Sequence, residues 1–433
     1  MKLNKNKFLK STFVLMLSGL STKVLGLIIK VIFTRIVGST TISLYTIVMP
    51  TYSLLLTITT FAIPQTISKL IAGNTSKKVL NNALFIIILI NIIVISVMAL
   101  FSKTIAYTFL KEPKAYYLLL AMCVTLPFSS IACIFKGYFY GIQKNYPHVL
   151  SNTIEQIIRL ILIFTVIPKL IKYSYVHAAV GLILTFLFTE GASIIVFSLC
   201  MNNNDLKKMF KFAINKKDIK SILNLSIPSV ASRFLGNICY FLEPIILTHI
   251  LLYKGYTNSF ILSEYGAYNA YAISTLTIPS FFISAISLAL IPEISKFNEQ
   301  KNYFYVKKRL KEACLFTFLI GLFSTFIIFI FRDKLLFFLY KTTLGTNYIK
   351  YLAPFFILFY FESIFASFIA AIGNVKVTFK ITIFASIIKL ILLTILSFFQ
   401  IGIYSLLISE IINIIIVVLL NYLYIQRYLN KIN

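Results

Sequence analysis

STKVLGLIIKVIFTRIVG, Ser21 to Gly38, lies in a long apolar run, and its first six residues return 210 positions later as ASRFLG, Ala231 to Gly236. Each copy carries one cation, Lys23 or Arg233, at a depth where a hydrophobic helix ordinarily has none. A charge near the centre of a membrane helix costs roughly 2.5 to 3.5 kcal/mol on insertion scales, so such a group faces a partner or a watery cavity. A repeated intramembrane cation reads as two halves of one chain turned toward one site.

The rest of the 433 residues fits that reading. With 59% apolar and 12% charged residues and a mean hydropathy of +0.90, the chain falls outside soluble domains, which hold about 25% charged residues. Its apolar runs of about 20 residues match a roughly 30 Å hydrocarbon core crossed by helices, not the short alternating strands of a barrel. Twelve spans are expected, from 11–34 and 44–64 through 149–168 and 268–292 to 403–425. The start, MKLNKNKFLK before an apolar run, resembles a signal peptide, but the run continues past Lys23 without a small-x-small cleavage site. It reads as an uncleaved first span.

The formal charge of +28 is not a nucleic-acid signal, because the cations gather in the connections between spans. With the amino terminus inside, the inner connections hold 25 of them, including Lys136, the clusters 207–220 and 296–311, and Arg427 with Lys431; the outer ones hold 11. This excess places both termini in the cytoplasm. The longest polar connection in mid-chain, NNNDLKKMFKFAINKKDIK from Asn202 to Lys220, separates six spans from six. The expected organisation is an N-terminal lobe at 1–205, a basic cytoplasmic linker at 206–220 and a C-terminal lobe at 221–433.

The duplication continues beyond the opening motif. IPQTISKL (63–70) returns as IPEISKF (291–297), YGIQK (140–144) as IGNVK (372–376), and IIRLILI (157–163) as IIKLILL (387–393), in the same order. Six spans per copy send both copies through the membrane in the same direction. Such parallel repeats are related by an axis along the membrane normal, with substrate at their interface.

The repeat pairs Lys23 with Arg233 and Arg159 with Lys389. Lys23, Arg233 and Lys389 have no acid three or four residues away, whereas Arg159 has Glu155 one turn before it as a local counter-charge. These four cations are the expected substrate-binding groups of a cationic cavity, the alternative being closed ion pairs with Glu190, Glu243, Glu362 or Glu410. Lys30 and Arg35, nearer the outer end of the first span, can snorkel and rank as secondary candidates. Glu155 and Glu243 are secondary too; Glu243 precedes Pro244 and can hold a coupling ion or balance Arg233. The prolines in or beside spans, among them Pro50, Pro64, Pro279, Pro292 and Pro354, are kink and hinge candidates. The five cysteines lack CxxC or His spacing and read as small packing residues, and His148, His177 and His249 lie on separate segments. No catalytic motif, metal motif or phosphate loop is present, so neither an enzyme nor an ATP-driven pump is indicated.

The stretches KVLGLIIKVIFTRIVG, LYTIVMPTYSLLLTITTFAIPQTISKLIA, FKGYFYGIQKNYPHVLSNTIEQIIRL and YGAYNAYAISTLTIPSFFISAISLALIPEISK resemble the stage V sporulation protein B group. That group belongs to the multidrug/oligosaccharidyl-lipid/polysaccharide exporter superfamily, alongside the lipid II flippases, and the likeness runs from about residue 10 to 425. It implies an all-α, MATE-like, V-shaped membrane fold of two six-helix lobes in the bacterial cytoplasmic membrane. It also implies alternating-access transfer of a lipid-linked (polyprenyl diphosphate) sugar or peptidoglycan precursor from the inner to the outer leaflet. Membrane lipid surrounds it, and cell-wall synthesis enzymes are candidate partners. No cofactor is implied; the membrane potential or a monovalent cation is the available energy source. In lipid II flippases, arginines of the first span contact the diphosphate. Lys23 matches one of them conservatively, Ile29 stands where a second would be, and Leu54 falls near a third. Lipid II flippases also carry two helices beyond the twelve counted here. The alternatives are a cation-coupled drug exporter of the same superfamily, which needs an acid-lined cavity, and a non-transporting scaffold with all buried charges paired.

Overall fold

In hydrocarbon no water satisfies a backbone N–H or C=O, so a spanning segment must bond to itself, and apolar runs of this length become helices. The computed structural model describes residues 5–73, 79–211 and 215–431. Lys2, Lys77 and Lys78, counted on the inner side from sequence, lie outside them. Among the described residues there is no strand. In chain order the helices are α1 (Lys5–Thr60), α2 (Ile63–Ala72), α3 (Val79–Thr104), α4 (Ala115–Gly141), α5 (Tyr146–Thr165), α6 (Ile167–Tyr173), α7 (Tyr175–Cys200), α8 (Asn203–Phe210) and α9 (Lys216–Tyr253). They continue with α10 (Asn258–Gly266), α11 (Ser274–Leu276), α12 (Ser280–Glu299), α13 (Tyr303–Ile330), α14 (Arg332–Tyr340), α15 (Thr346–Ala371), α16 (Val375–Ser397) and α17 (Tyr404–Lys431). Contacts divide the chain into two compact units, Met1–Phe241 and Leu242–Asn433.

Ten helices among the described residues are long and apolar enough to cross a membrane, against the twelve spans expected. Two differences account for this. The first and second expected spans are two helical stretches that meet without a loop at Gly38 (φ 76, ψ 174), so they count once, within α1; Gly38 sits in a backbone region open to glycine almost alone. The fifth corresponds to α5, whose stripe of His148, Ser151, Glu155 and Arg159 recurs every three or four residues on one face. That stripe lowers its apolarity below that of its neighbours.

The eighth expected span, 268–292, also differs. A π-helical turn over Ala267–Ile273 leads into the short α11, and α12 starts only at Ser280. Pro279 has no N–H to donate, and the Ser280 N–H bonds to the Thr277 carbonyl one residue short of α spacing. The Leu276 carbonyl left over accepts a 2.8 Å hydrogen bond from the Tyr360 hydroxyl on α15. A side chain thus closes the break, as membrane depth requires.

The duplication is visible in the backbone of each unit taken separately. At the end of α4, Ile142, Gln143 and Lys144 donate to the carbonyls of Tyr138, Tyr140 and Phe139; at the end of α15, Ile372, Gly373 and Asn374 donate to Phe368, Ala370 and Ile369. Both are Schellman ends with a left-handed residue, Gln143 (φ 56) or Gly373 (φ 86). The offset is 230, the same as between Arg159 and Lys389. This moves the register of the YGIQK and IGNVK match, drawn from letters alone, by two residues.

In the first unit the core forms where α2 lies on α4. Ile63, Ile67 and Ile71 meet Ile134, Phe135, Tyr138 and Phe139, all at most 8% exposed. Close approach is set by Gly137 and Gly141, a small-xxx-small seam. A Cβ on Gly137 would stand 3.0 Å from the Cα and carbonyl oxygen of Pro64, and one on Gly141 would stand 2.7 Å from the Ile71 Cβ. The described residues of the segment expected as a basic cytoplasmic linker, and those flanking it, are tied to this unit. Asp205 is buried and accepts a 2.8 Å bond from the Tyr138 hydroxyl, Met209 is fully buried, and the Asn215 N–H donates to Asn82 Oδ1 at 2.9 Å.

Gly141→Ala drives a methyl into a side chain held by two helices, and overpacking of this kind costs roughly 1 to 3 kcal/mol. Thermal unfolding in detergent should show a clear loss for Gly141→Ala. Gly26→Ala, where a Cβ meets nothing within 4 Å, should unfold at or slightly above the wild-type temperature.

Candidate functional site

Two clusters of charge lie inside the membrane-spanning segments, one in each unit. In the first, α5 presents its polar stripe to α4 and α7. The Lys136 ammonium of α4 stands 3.6 Å from Glu155 and 3.4 Å from Glu190 of α7. The Ser151 hydroxyl donates to Glu155 Oε1 at 3.2 Å and shares a 2.6 Å hydrogen bond with Ser193. Arg159, one turn further on, donates from Nη2 to Thr189 Oγ1 at 3.4 Å and lays its guanidinium 4.9 Å from the centre of the Phe186 ring. Cation–π contact of this sort strengthens where water is excluded.

The second cluster is tighter. Lys389 of α16 sits between Glu243 of α9, at 2.5 Å, and Glu410 of α17, at 2.6 Å. The Tyr265 hydroxyl of α10 approaches the other oxygen of Glu243 at 3.5 Å. The Glu243 side chain is 4% exposed and that of Lys389 16%, so the pair holds its charge largely away from water. Fully ionised, two carboxylates against one ammonium leave a surplus negative charge. In the first unit Lys136 and Arg159 balance Glu155 and Glu190.

These geometries redistribute the expected partners. Glu155, the expected counter-charge to Arg159, pairs with Lys136, which the sequence had placed with the loop cations. Glu243, expected to balance Arg233, pairs with Lys389. Of the four candidate cations, Lys389 is therefore clamped and Arg159 is seated on a hydroxyl and an aromatic face. Lys23 lies exposed on α1, with Lys30 half-buried and Arg35 exposed further along the same helix. Arg233 is exposed on α9 and forms no ion pair among the described residues. Ile29, where the resemblance sets a second cation, is 2% exposed and belongs to the core.

Lys136 is not among the residues that the sequence singles out. Its signal was present: Lys136 lies five residues before the end of a 27-residue helix, deep enough to meet α5. Among the described residues no group of three or more His, Cys, Asp or Glu can hold a metal ion, and the five cysteines are free thiols.

The family model described as polysaccharide biosynthesis protein matches residues 8–298, and the MatE model matches residues 244–395. Stage V sporulation protein B of Bacillus subtilis (strain 168) is 31% identical over 370 residues, covering 83% of this chain and 71% of that protein. The lipid II flippase MurJ of the same organism is 25% identical over 182 residues, 39% of this chain and 34% of that one. Among solved structures, lipid II flippase MurJ in an inward closed conformation superposes with a TM-score of 0.73 at 17% identity, covering 97% of this chain and 90% of that one. An inward-facing multidrug resistance MATE family transporter of the MOP superfamily gives a TM-score of 0.69 at 13% identity over 95% of each chain.

The fold is that of a multi-pass membrane transporter of the MATE-like, MOP-superfamily type. Within that class, the chain belongs to the polysaccharide biosynthesis protein family, in its stage V sporulation protein B-like branch of exporters and flippases.

Removing the cation from the second cluster isolates two buried carboxylates, and breaking a buried pair from one side costs about 3 to 5 kcal/mol. Lys389→Met should therefore lower the unfolding temperature in detergent sharply. The triple variant Lys389→Met, Glu243→Gln, Glu410→Gln should recover most of that loss, because no uncompensated charge remains.

Proposed function

We propose that this protein moves a lipid-linked oligosaccharide or peptidoglycan precursor across the bacterial cytoplasmic membrane by alternating access, with both termini in the cytoplasm. The observation that carries the reading is the state of the membrane cations in a chain of this family. The acids of the two clusters are engaged by Lys136 and Lys389, while Arg233 is exposed on a spanning helix and forms no ion pair among the described residues. An exposed guanidinium on a membrane helix is stable where it meets water or an anion. A polyprenyl diphosphate head is such an anion, and crossing hydrocarbon without compensating charge would be prohibitive for it. Lys23, paired with Arg233 by the repeat, contributes a second cation, and Arg159 and Lys389 are the further candidate cations, one in each unit. The polyprenyl tail stays in lipid throughout.

An inside-negative potential favours outward movement of an anion by roughly 2.3 kcal/mol per charge per 100 mV, so the potential can drive the step without ATP. The second cluster offers the other route. Its surplus carboxylate can take a proton or a monovalent cation, releasing Glu243 or Glu410 from Lys389 and coupling ion uptake to helix movement. A cation-coupled drug exporter is the second reading, but the carboxylates it would need in an open cavity are closed onto lysines here. The protein acts on its substrate by relocation and not as an enzyme, and enzymes of wall or surface-glycan synthesis are its natural partners.

The reading is tested in vesicles containing a fluorescent polyprenyl-diphosphate sugar, with flipping scored by chemical quenching of the outer leaflet. Wild-type protein should flip the lipid, while Arg233→Ala and Lys23→Ala should each slow flipping about tenfold or more, the loss of roughly 1.4 kcal/mol of anion stabilisation. Equal rates for all three proteins would remove both residues from the mechanism.

A further inference from the structure

The second unit carries a cavity of about 380 Å³ that the transport reading does not use. It is built where the connections near 254–258, 341–346 and 400–403 converge on the ends of α10, α15 and α17, the end that the charge pattern assigns to the outside. Its wall combines aromatic rings with neutral hydrogen-bonding groups. Tyr256 and Phe260 stack with centroids 5.3 Å apart and planes 20° apart, Phe260 remains 41% exposed, and Tyr404 packs edge-on against Tyr348 at 5.6 Å. Between them stand the amides of Asn347 and Gln400, the hydroxyls of Thr343 and Thr346, and the carboxylate of Glu264.

The backbone fixes this wall in place. Gly345 (φ 90) and Gly402 (φ 60) occupy left-handed positions, and a Cβ on Gly345 would stand 2.7 Å from the Ala267 carbonyl oxygen. The Tyr256 hydroxyl donates to the Gln400 carbonyl at 2.5 Å, and the Tyr348 hydroxyl donates to Glu264. A pocket held this way loses little ordering entropy when it binds.

Its chemistry selects a ligand class. Among the described lining residues the one charged side chain is Glu264, so a phosphate or diphosphate is repelled. Thr343, Asn347 and Gln400 are exposed at the rim and offer hydrogen bonds to a polar ligand, whereas a purely apolar chain would displace their water without replacing its bonds. A ligand with an apolar face and a ring of hydroxyls satisfies both surfaces, and the volume suits a fragment of one or two sugar rings. We propose that this cavity is a saccharide-binding site, in which a pyranose lays its C–H face on the Phe260 and Tyr404 rings and bonds its hydroxyls to Glu264, Asn347 and Gln400. The site lies within one unit and uses none of the candidate cations, so it stands or falls independently of the flipping mechanism.

The test is saturation-transfer NMR and calorimetry on the full chain in detergent, with chitotriose, maltotriose, choline and inorganic phosphate as separate probes. At least one trisaccharide should bind saturably with a Kd below about 10 mM. Phe260→Ala and Asn347→Ala should each weaken that binding about tenfold while unfolding at the wild-type temperature. Glu264→Gln, which keeps a partner for Tyr348, should weaken it without loss of fold. Absence of saturable trisaccharide binding, binding unchanged in all three variants, or saturable binding of choline or phosphate in place of the sugars would each overturn the proposal. Because flipping is scored on wild-type protein with a lipid-linked substrate, loss of this proposal leaves that measurement intact.

Discussion

An ammonium held at 2.5 and 2.6 Å by two carboxylates at membrane depth is the constraint around which the second unit is arranged. Neither Lys389 nor its partners could be placed there alone, since an isolated charge in hydrocarbon would change protonation or unfold the helix that carries it. Meeting at one point, they tie α9, α16 and α17 together, and Tyr265 brings in α10. Three helices that share only apolar surface could slide past one another in lipid, which resembles their own side chains. A shared ion triad gives them one register. Its value lies in that specificity, because the desolvation of three charges offsets much of their mutual attraction.

The first unit meets the same constraint differently. Arg159 occupies the repeat position of Lys389, yet its partners are a hydroxyl and an aromatic ring, and the acids belong to Lys136 one helix away. The backbones have kept their shared ancestry, as the matching Schellman ends at Gln143 and Gly373 show. The charges have diverged, to balance in one unit and a carboxylate surplus in the other. Under the proposed function this divergence has a reason, because the two copies need not share the tasks of holding substrate and sensing an ion.

Much of this was legible in the sequence, and the exceptions have physical causes. Apolar runs, loop charge and the doubled motifs identify helices, two copies and the intramembrane cations, because hydrocarbon penalises alternatives so heavily that composition alone decides. Side-chain partnership was not legible. Glu155 precedes Arg159 by one helical turn, which suggests a pair, but α4 offers Lys136 on the facing side and wins through a contact that no local spacing records. Glu243 was matched to Arg233 by proximity in the chain, whereas its partner lies 146 residues away. Gly38 and Gly141 illustrate the same limit. One is the kink at which two helical stretches meet without a loop, the other lets α2 and α4 touch, and in the letters both resemble any other glycine of a membrane helix.

The carboxylate surplus of the second cluster gives the proposed coupling a physical handle. With one ammonium between two acids, the cluster carries a negative charge when both acids are ionised and none once a proton or monovalent cation has joined it. The neutral form loses less on contact with lipid and holds Lys389 by one strong bond instead of two. Helices clamped in the charged form are therefore freer to shift in the neutral one. Pro244, immediately after Glu243, leaves α9 without one backbone donor at that level, so the point where the clamp loosens is also where the helix bends most easily. In the proposed cycle a transporter that resets after releasing its substrate needs a transition that costs less with an ion aboard, and a clamp of two acids beside a proline is the arrangement such coupling would use.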